Sequence, residues 1–247
     1  MPGELPGMPE ERERLSQVRG FPSKTSHTLS ALSGGAAVIL AVVAFLLDID
    51  RPTFDDSPAT FVNYYTDNRS QLQIALLLFM FSTFWFAWFL GLLRWLFEGA
   101  ERSARGLVRA SPIAFTGGIA GLATVAATGV AQLTAIETVG SIPDPMVRAL
   151  DLFSAYGVVW GEVLLSVHLL SAFFVIRVTQ VLPEWIGGLT FIGAVLGFVQ
   201  AVLVLSPAQQ DSVFGFLGIA WFAIFLVYIL ATSIHVARRA DTALLAG

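Results

Sequence analysis

Two ionisable side chains, Glu162 and His168, lie well away from the ends of the long apolar runs of this 247-residue chain, and chemistry is to be sought there first. Glu162 sits about midway along the run from 152 to 176, and His168 follows in the same run. An ionised side chain at mid-bilayer costs at least a few kcal/mol, so such groups face a bundle interior or water and mark functional pathways. That cost favours the neutral acid and makes Glu162 a candidate proton carrier. The competing reading is a protonated glutamic acid hydrogen-bonded to a neighbouring helix for packing alone. Six helical steps put His168 about 240° from Glu162, so the two do not share a face and a direct relay is not expected. Haem ligation would need a second histidine at similar depth, and His27 and His235 fall at the ends of runs. His168 is expected to be a satisfied interior histidine.

Other polar residues belong to the same question. By depth, Gln73, Gln132, Tyr156 and Gln200 fall in the halves of their runs on the side of the first long connector. With Glu162 and His168 they make a candidate ligand-binding set. No catalytic set is visible. The chain has no Cys, which excludes thiolate metal sites and Cys nucleophiles. Lys24, the only lysine, lies outside the runs, so no retinal Schiff base is expected, and neither H-E-x-x-H nor a phosphate-binding G-x-x-x-x-G-K-[ST] occurs. Asp48, Asp50, Asp55 and Asp56 lack the alternation and Gly of a calcium loop, and a solvated acidic loop is expected there. No metal and no cofactor is expected.

The elements that position these residues are six apolar runs, at about 29–48, 71–97, 111–136, 152–176, 185–205 and 213–236. About 20 apolar residues cross a bilayer, and a spanning backbone must satisfy itself as helix. The chain is 55% hydrophobic and 13% charged, where soluble domains carry about 25% charged residues. The predicted fold is an all-α membrane protein, a bundle of six transmembrane helices in one domain over 29–236. A polar arm (1–28) precedes it and a short tail (237–247) follows. A net charge of −4 gives no reason to expect nucleic acid.

Basic residues set the orientation. With the N-terminus cytoplasmic, eleven basic residues fall inside and only Arg51, Arg69 and Arg148 outside. Basic residues are retained in cytoplasmic loops, so both termini are expected inside. In the first outside loop, Ser57-Pro58 reads as an N-cap with Pro at the first helical position. Phe61, Val62 and Tyr65 then share a face, which predicts a short interfacial helix along the outer surface. Gly117-x-x-x-Gly121 and Gly193-x-x-x-Gly197 are small-residue ridges. They place the third and fifth spans in the bundle interior. The aromatic second span, from Phe79 to Phe89, is expected to face lipid.

The first span ending near Asp48, then Phe61-Val62-Asn63-Tyr64-Tyr65 and Asn68-Arg69-Ser70 leading into the second, resembles a group of uncharacterised bacterial six-helix membrane proteins common in actinobacteria. The resemblance implies a multi-pass protein of the bacterial plasma membrane and no catalytic residues. The expected function is binding or transport of a small apolar or weakly polar molecule through an outward pocket containing Glu162. The alternative is a non-catalytic accessory subunit of a larger membrane complex. Expected partners are the lipid bilayer, a small-molecule or lipid ligand, and a membrane-protein partner.

Overall fold

The computed structural model describes the backbone of residues 24–104, 109–204 and 213–245, and the side chains of 32–104, 109–204 and 215–238. The polar arm before Lys24, His27's side chain and Asp211 lie outside the described residues. Among the described residues seven helices form: α1 (Lys24–Leu47), α2 (Pro58–Asp67), α3 (Arg69–Ser103), α4 (Ser111–Thr138), α5 (Asp144–Thr179), α6 (Glu184–Leu203) and α7 (Val213–Leu245). No strand occurs among the described residues. α3 to α6 and the Gly215–Arg238 part of α7 are long and apolar enough to cross a membrane, while the apolar stretch Leu32–Leu47 of α1 is shorter. The fold is an all-helical, multi-pass membrane bundle.

Most helices outrun the apolar stretches read from the sequence. α3 has 35 residues and α5 has 36. At 1.5 Å per residue each is about 50 Å long, against about 30 Å of hydrocarbon. α5 begins at Asp144 rather than near 152, because Pro143 is its N-cap and Pro145 occupies the first turn, where a missing N–H costs nothing. It ends at Gln180, which adopts a left-handed conformation (φ 54°) just before Leu182-Pro183. α7 continues through the predicted tail as far as Leu245.

The long helices α1, α3, α4, α5, α6 and α7 each pack on the next, and α1 also meets α7, so these six close a ring. Across the ring, α5 also meets α3, and its side chains bond to α7. The expectation that the third and fifth spans are interior is corrected. The apolar window of α5 is 61% buried, against 28% for α4 and 39% for α6. A glycine ridge brings one stripe of a helix close to a neighbour and leaves the other faces free. On α4 those faces carry the exposed Ile113, Ile119 and Val130. The aromatic α3 is likewise divided, with Phe81, Phe84 and Trp88 exposed and Phe86 and Phe89 in the core.

Close α4–α5 packing uses a second ridge, Gly157-x-x-x-Gly161. A Cβ on Gly121 would stand 2.9 Å from the Gly161 carbonyl oxygen, and one on Gly161 would stand 3.2 Å from that of Gly121. At the end of the bundle remote from α2, Glu101 on α3 staples the start of α4. Its carboxylate accepts the N–H groups of Ala110 (2.7 Å) and Ser111 (2.9 Å) and the Ser111 hydroxyl (2.6 Å). These donors have no partner within α4's first turn. Glu101→Ala is expected to cost about 2 kcal/mol, at the upper end for loss of a cap, read as a lower denaturation midpoint in detergent. Glu101→Gln should retain part of it.

Candidate functional site

Glu162 lies on the face of α5 that meets α6 and α7. One turn along that face, the Ser166 hydroxyl donates to the Glu162 carbonyl (2.8 Å) and accepts from Trp221 Nε1 of α7 (3.3 Å). Gly197 of α6 completes this layer, since a Cβ there would strike Ser166 Oγ and lie 2.8 Å from Trp221 Nε1. A step of one turn toward the α2 end leads from Ser166 to Glu162, from Gly197 to Gln200 and from Trp221 to Gly218. Gln200 does face Gly218, whose Cβ would lie 3.0 Å from its Nε2. Glu162 and Gln200 therefore share a layer of the seam. They are 8% and 3% exposed, and Glu162 Oε2 and Gln200 Oε1 have no hydrogen-bond partner among the described residues.

Two buried acceptors with nothing to accept are costly, because a buried polar atom without a bond forfeits its hydration. Either a proton on Glu162 or a group that donates hydrogen bonds supplies what this layer lacks. The layer is also tight. Gly197 and Gly218 leave room for the polar side chains of the neighbouring helices, and larger residues would close it.

His168 lies apart from this layer. Nδ1 is 2.8 Å from the Ala114 carbonyl of α4, and Nε2 is 3.2 Å from the Tyr228 hydroxyl of α7. A carbonyl only accepts, so Nδ1 carries the proton and Nε2 accepts from Tyr228. Gly118 admits the ring, since a Cβ there would sit 3.3 Å from Nδ1. With both nitrogens engaged and 1% exposure, His168 is a clasp between three helices. Phe86 packs edge-on against it.

A third polar group closes the end of the bundle that carries α2. Arg51, in the α1–α2 connector, donates from Nε (3.0 Å) and Nη2 (2.8 Å) to Oδ1 of Asp151 on α5. The Tyr65 hydroxyl donates to the same oxygen at 2.6 Å. Asp48, at the end of α1, accepts from Tyr64 (2.6 Å) and Gln132 (3.2 Å) and lies 3.6 Å from Arg51. Burial alone would pull the Arg51 pKa down, but Asp151 and Asp48 outweigh it and hold it above its ordinary value. Burial and the neighbouring carboxylates push both tyrosines up, so they stay neutral donors.

This clamp changes the reading of α2. The Ser57 cap is present, its hydroxyl accepting the Thr60 N–H at 3.3 Å. Phe61 and Tyr65, however, are 0% exposed and pack on Leu72, Leu76, Ile136 and Val147. The apolar face predicted to lie along a membrane surface is turned into the bundle, because the clamp fixes the helix from both its tyrosines. Arg148 adds a bond to the Phe54 carbonyl (2.6 Å), and Phe54 stacks on Tyr156.

Of the six residues singled out in the sequence, Glu162 and Gln200 share a layer, while His168 sits in the separate clasp. Gln132 and Tyr156 serve the clamp, and Gln73 binds Glu137 (2.6 Å) on the exposed surface beside Arg69. Asp48 is spent in the clamp and Asp56 accepts from Thr53, while Asp50 and Asp55 are exposed. No metal-holding cluster of acidic or histidine side chains occurs among the described residues. Sequence reading missed Asp151, Arg51, Ser166 and Trp221. An earlier start for α5, signalled by Pro143-Asp144-Pro145, would have drawn attention to Asp151. No family model, curated protein or solved structure matches the chain.

Proposed function

We propose that this is a six-span protein of the bacterial plasma membrane, with both termini cytoplasmic, that binds a small weakly polar hydrogen-bond donor in the α5–α6–α7 seam and exchanges a proton at Glu162. The carrying observation is the pair of unpartnered acceptors, Glu162 Oε2 and Gln200 Oε1, in one buried layer. Intramembrane acids are expensive and face interiors or water-filled paths when they serve binding or transport. Asp151 and Glu162 are eleven residues apart on α5, so the clamp stands about 16 Å from the seam. It holds the bundle end firm while the seam stays free to accept a donor. The distribution of arginines, with Arg94, Arg102, Arg109, Arg177 and Arg238 at the end remote from α2, supports cytoplasmic termini.

Infrared difference titration of the protein in lipid tests the site. A protonated-carboxyl band should shift when water is replaced by heavy water, should be missing in Glu162→Gln, and should move in Gln200→Leu. A band that never exchanges in the folded protein would reduce Glu162 to a sealed packing contact. Native mass spectrometry of the same variants identifies what occupies the seam. A small adduct lost in Glu162→Gln is expected, whereas a stable protein partner in its place would favour an accessory subunit.

A further inference from the structure

We propose that a groove between the start of α6 and the Val227–Arg238 stretch of α7 holds one acyl chain of an anionic phospholipid, with Arg238 against its phosphate. The groove has a volume of about 450 Å³ and is lined along α7 by Val227, Leu230, Ala231, Ile234, His235 and Arg238. These positions recur at three- and four-residue steps, so they form one stripe of the helix. From Val227 to Arg238 the stripe rises about 16 Å, close to half the roughly 30 Å hydrocarbon core. An apolar channel of one leaflet's length that ends in a cation matches a lipid tail and its headgroup. A soluble ligand would have no use for that length.

The wall from α6 makes the same case. Ile186 is fully buried at the base, while Trp185 stands 57% exposed at the mouth, where an amphipathic ring prefers the headgroup level. Val227, Leu230 and Ile234 each expose more than 40% of their surface into the groove or beside it. Charge points the same way. Among the described side chains at this end, five arginines stand against three glutamates, so these groups sum to a net positive charge, which draws anionic headgroups.

The proposal rests on the membrane setting and not on Glu162, so the two readings fail separately. Its test uses the full chain in phosphatidylcholine nanodiscs doped with brominated-chain phosphatidylglycerol or brominated-chain phosphatidylcholine. The Trp185 component of fluorescence is taken as the difference from Trp185→Phe. It should be quenched at about fivefold lower mole fraction by the anionic lipid, the effect expected of one basic residue near a membrane surface. Arg238→Gln should abolish that preference, and Ala231→Trp, which fills the groove, should remove the quenching by both lipids. Equal quenching by the two lipids, or a preference that survives Arg238→Gln, overturns the proposal. So does a dimer that Ala231→Trp dissociates, which would name a second copy as the occupant.

Discussion

Replacing Asp151 with alanine is expected to lower the stability of the folded protein by about 3–5 kcal/mol, the usual cost of removing one partner from a buried ion pair. Three hydrogen bonds end on a single oxygen of this side chain, which is 3% exposed. Alanine would leave the Arg51 guanidinium with Asp48 and the residue-151 backbone carbonyl, and the buried Tyr65 hydroxyl without its carboxylate acceptor. Arg51 keeps 24% of its side chain exposed, so partial rehydration puts the effect toward the lower figure. Loss should be local first. Hydrogen exchange of α2 amides should accelerate in Asp151→Ala while the α5–α6–α7 seam keeps its protection. The double variant Arg51→Leu/Asp151→Leu should recover part of the loss, because no charge is then left unpaired. An alanine variant as stable as the parent protein, with α2 still protected, would mean the clamp contributes nothing.

The second large effect concerns the line where α4 and α5 touch. Gly161→Leu is expected to prevent native packing of these helices. A first carbon at that position already meets Val125 Cγ2, the Gly121 carbonyl at 3.2 Å and the Val125 backbone nitrogen at 3.5 Å. Two of those are backbone atoms, which cannot swing aside as a side-chain tip can. The helices must separate, and overpacking of this sort costs about 1–3 kcal/mol or more. Lipid offers no hydrophobic drive to restore the contact, since helix association in a bilayer depends on close approach and dispersion. Gly91→Leu is the control, because nothing lies within 4 Å of its Cβ position. It should be neutral or slightly stabilising, in line with the poor helix propensity of glycine. Size-exclusion profiles and thermal denaturation in detergent separate the two variants. Equal behaviour would show that the glycine ridges are not what holds α4 to α5.

Much of the architecture follows from composition alone. A continuous apolar stretch of about 20 residues matches a helical span, whereas a barrel strand needs only about 10 and alternates, so helix type and rough position could be read directly. The short helix after Ser57-Pro58 was equally plain, because a capping hydroxyl and a proline act within one turn. Boundaries were less legible. Hydropathy marks where the apolar surface stops, whereas α5 begins at Asp144, just after its Pro143 cap and outside that surface.

Azimuth separates what the sequence determined from what the tertiary structure decided. Depth along a helix is fixed by counting residues, and the count placed Glu162 midway along its span and kept His168 off its face. Which neighbour each face meets depends on contacts between helices distant in sequence. Only the packed bundle could bring Gln200 to the layer of Glu162, send Gln132 and Tyr156 to the clamp, and leave Gln73 at the surface. The same holds for Asp151, an acid at the edge of an apolar run until Arg51, a hundred residues earlier, closes on it. Hydrophobic length is a local sum over a segment. Hydrogen-bond partnership is a pairwise property of the folded chain.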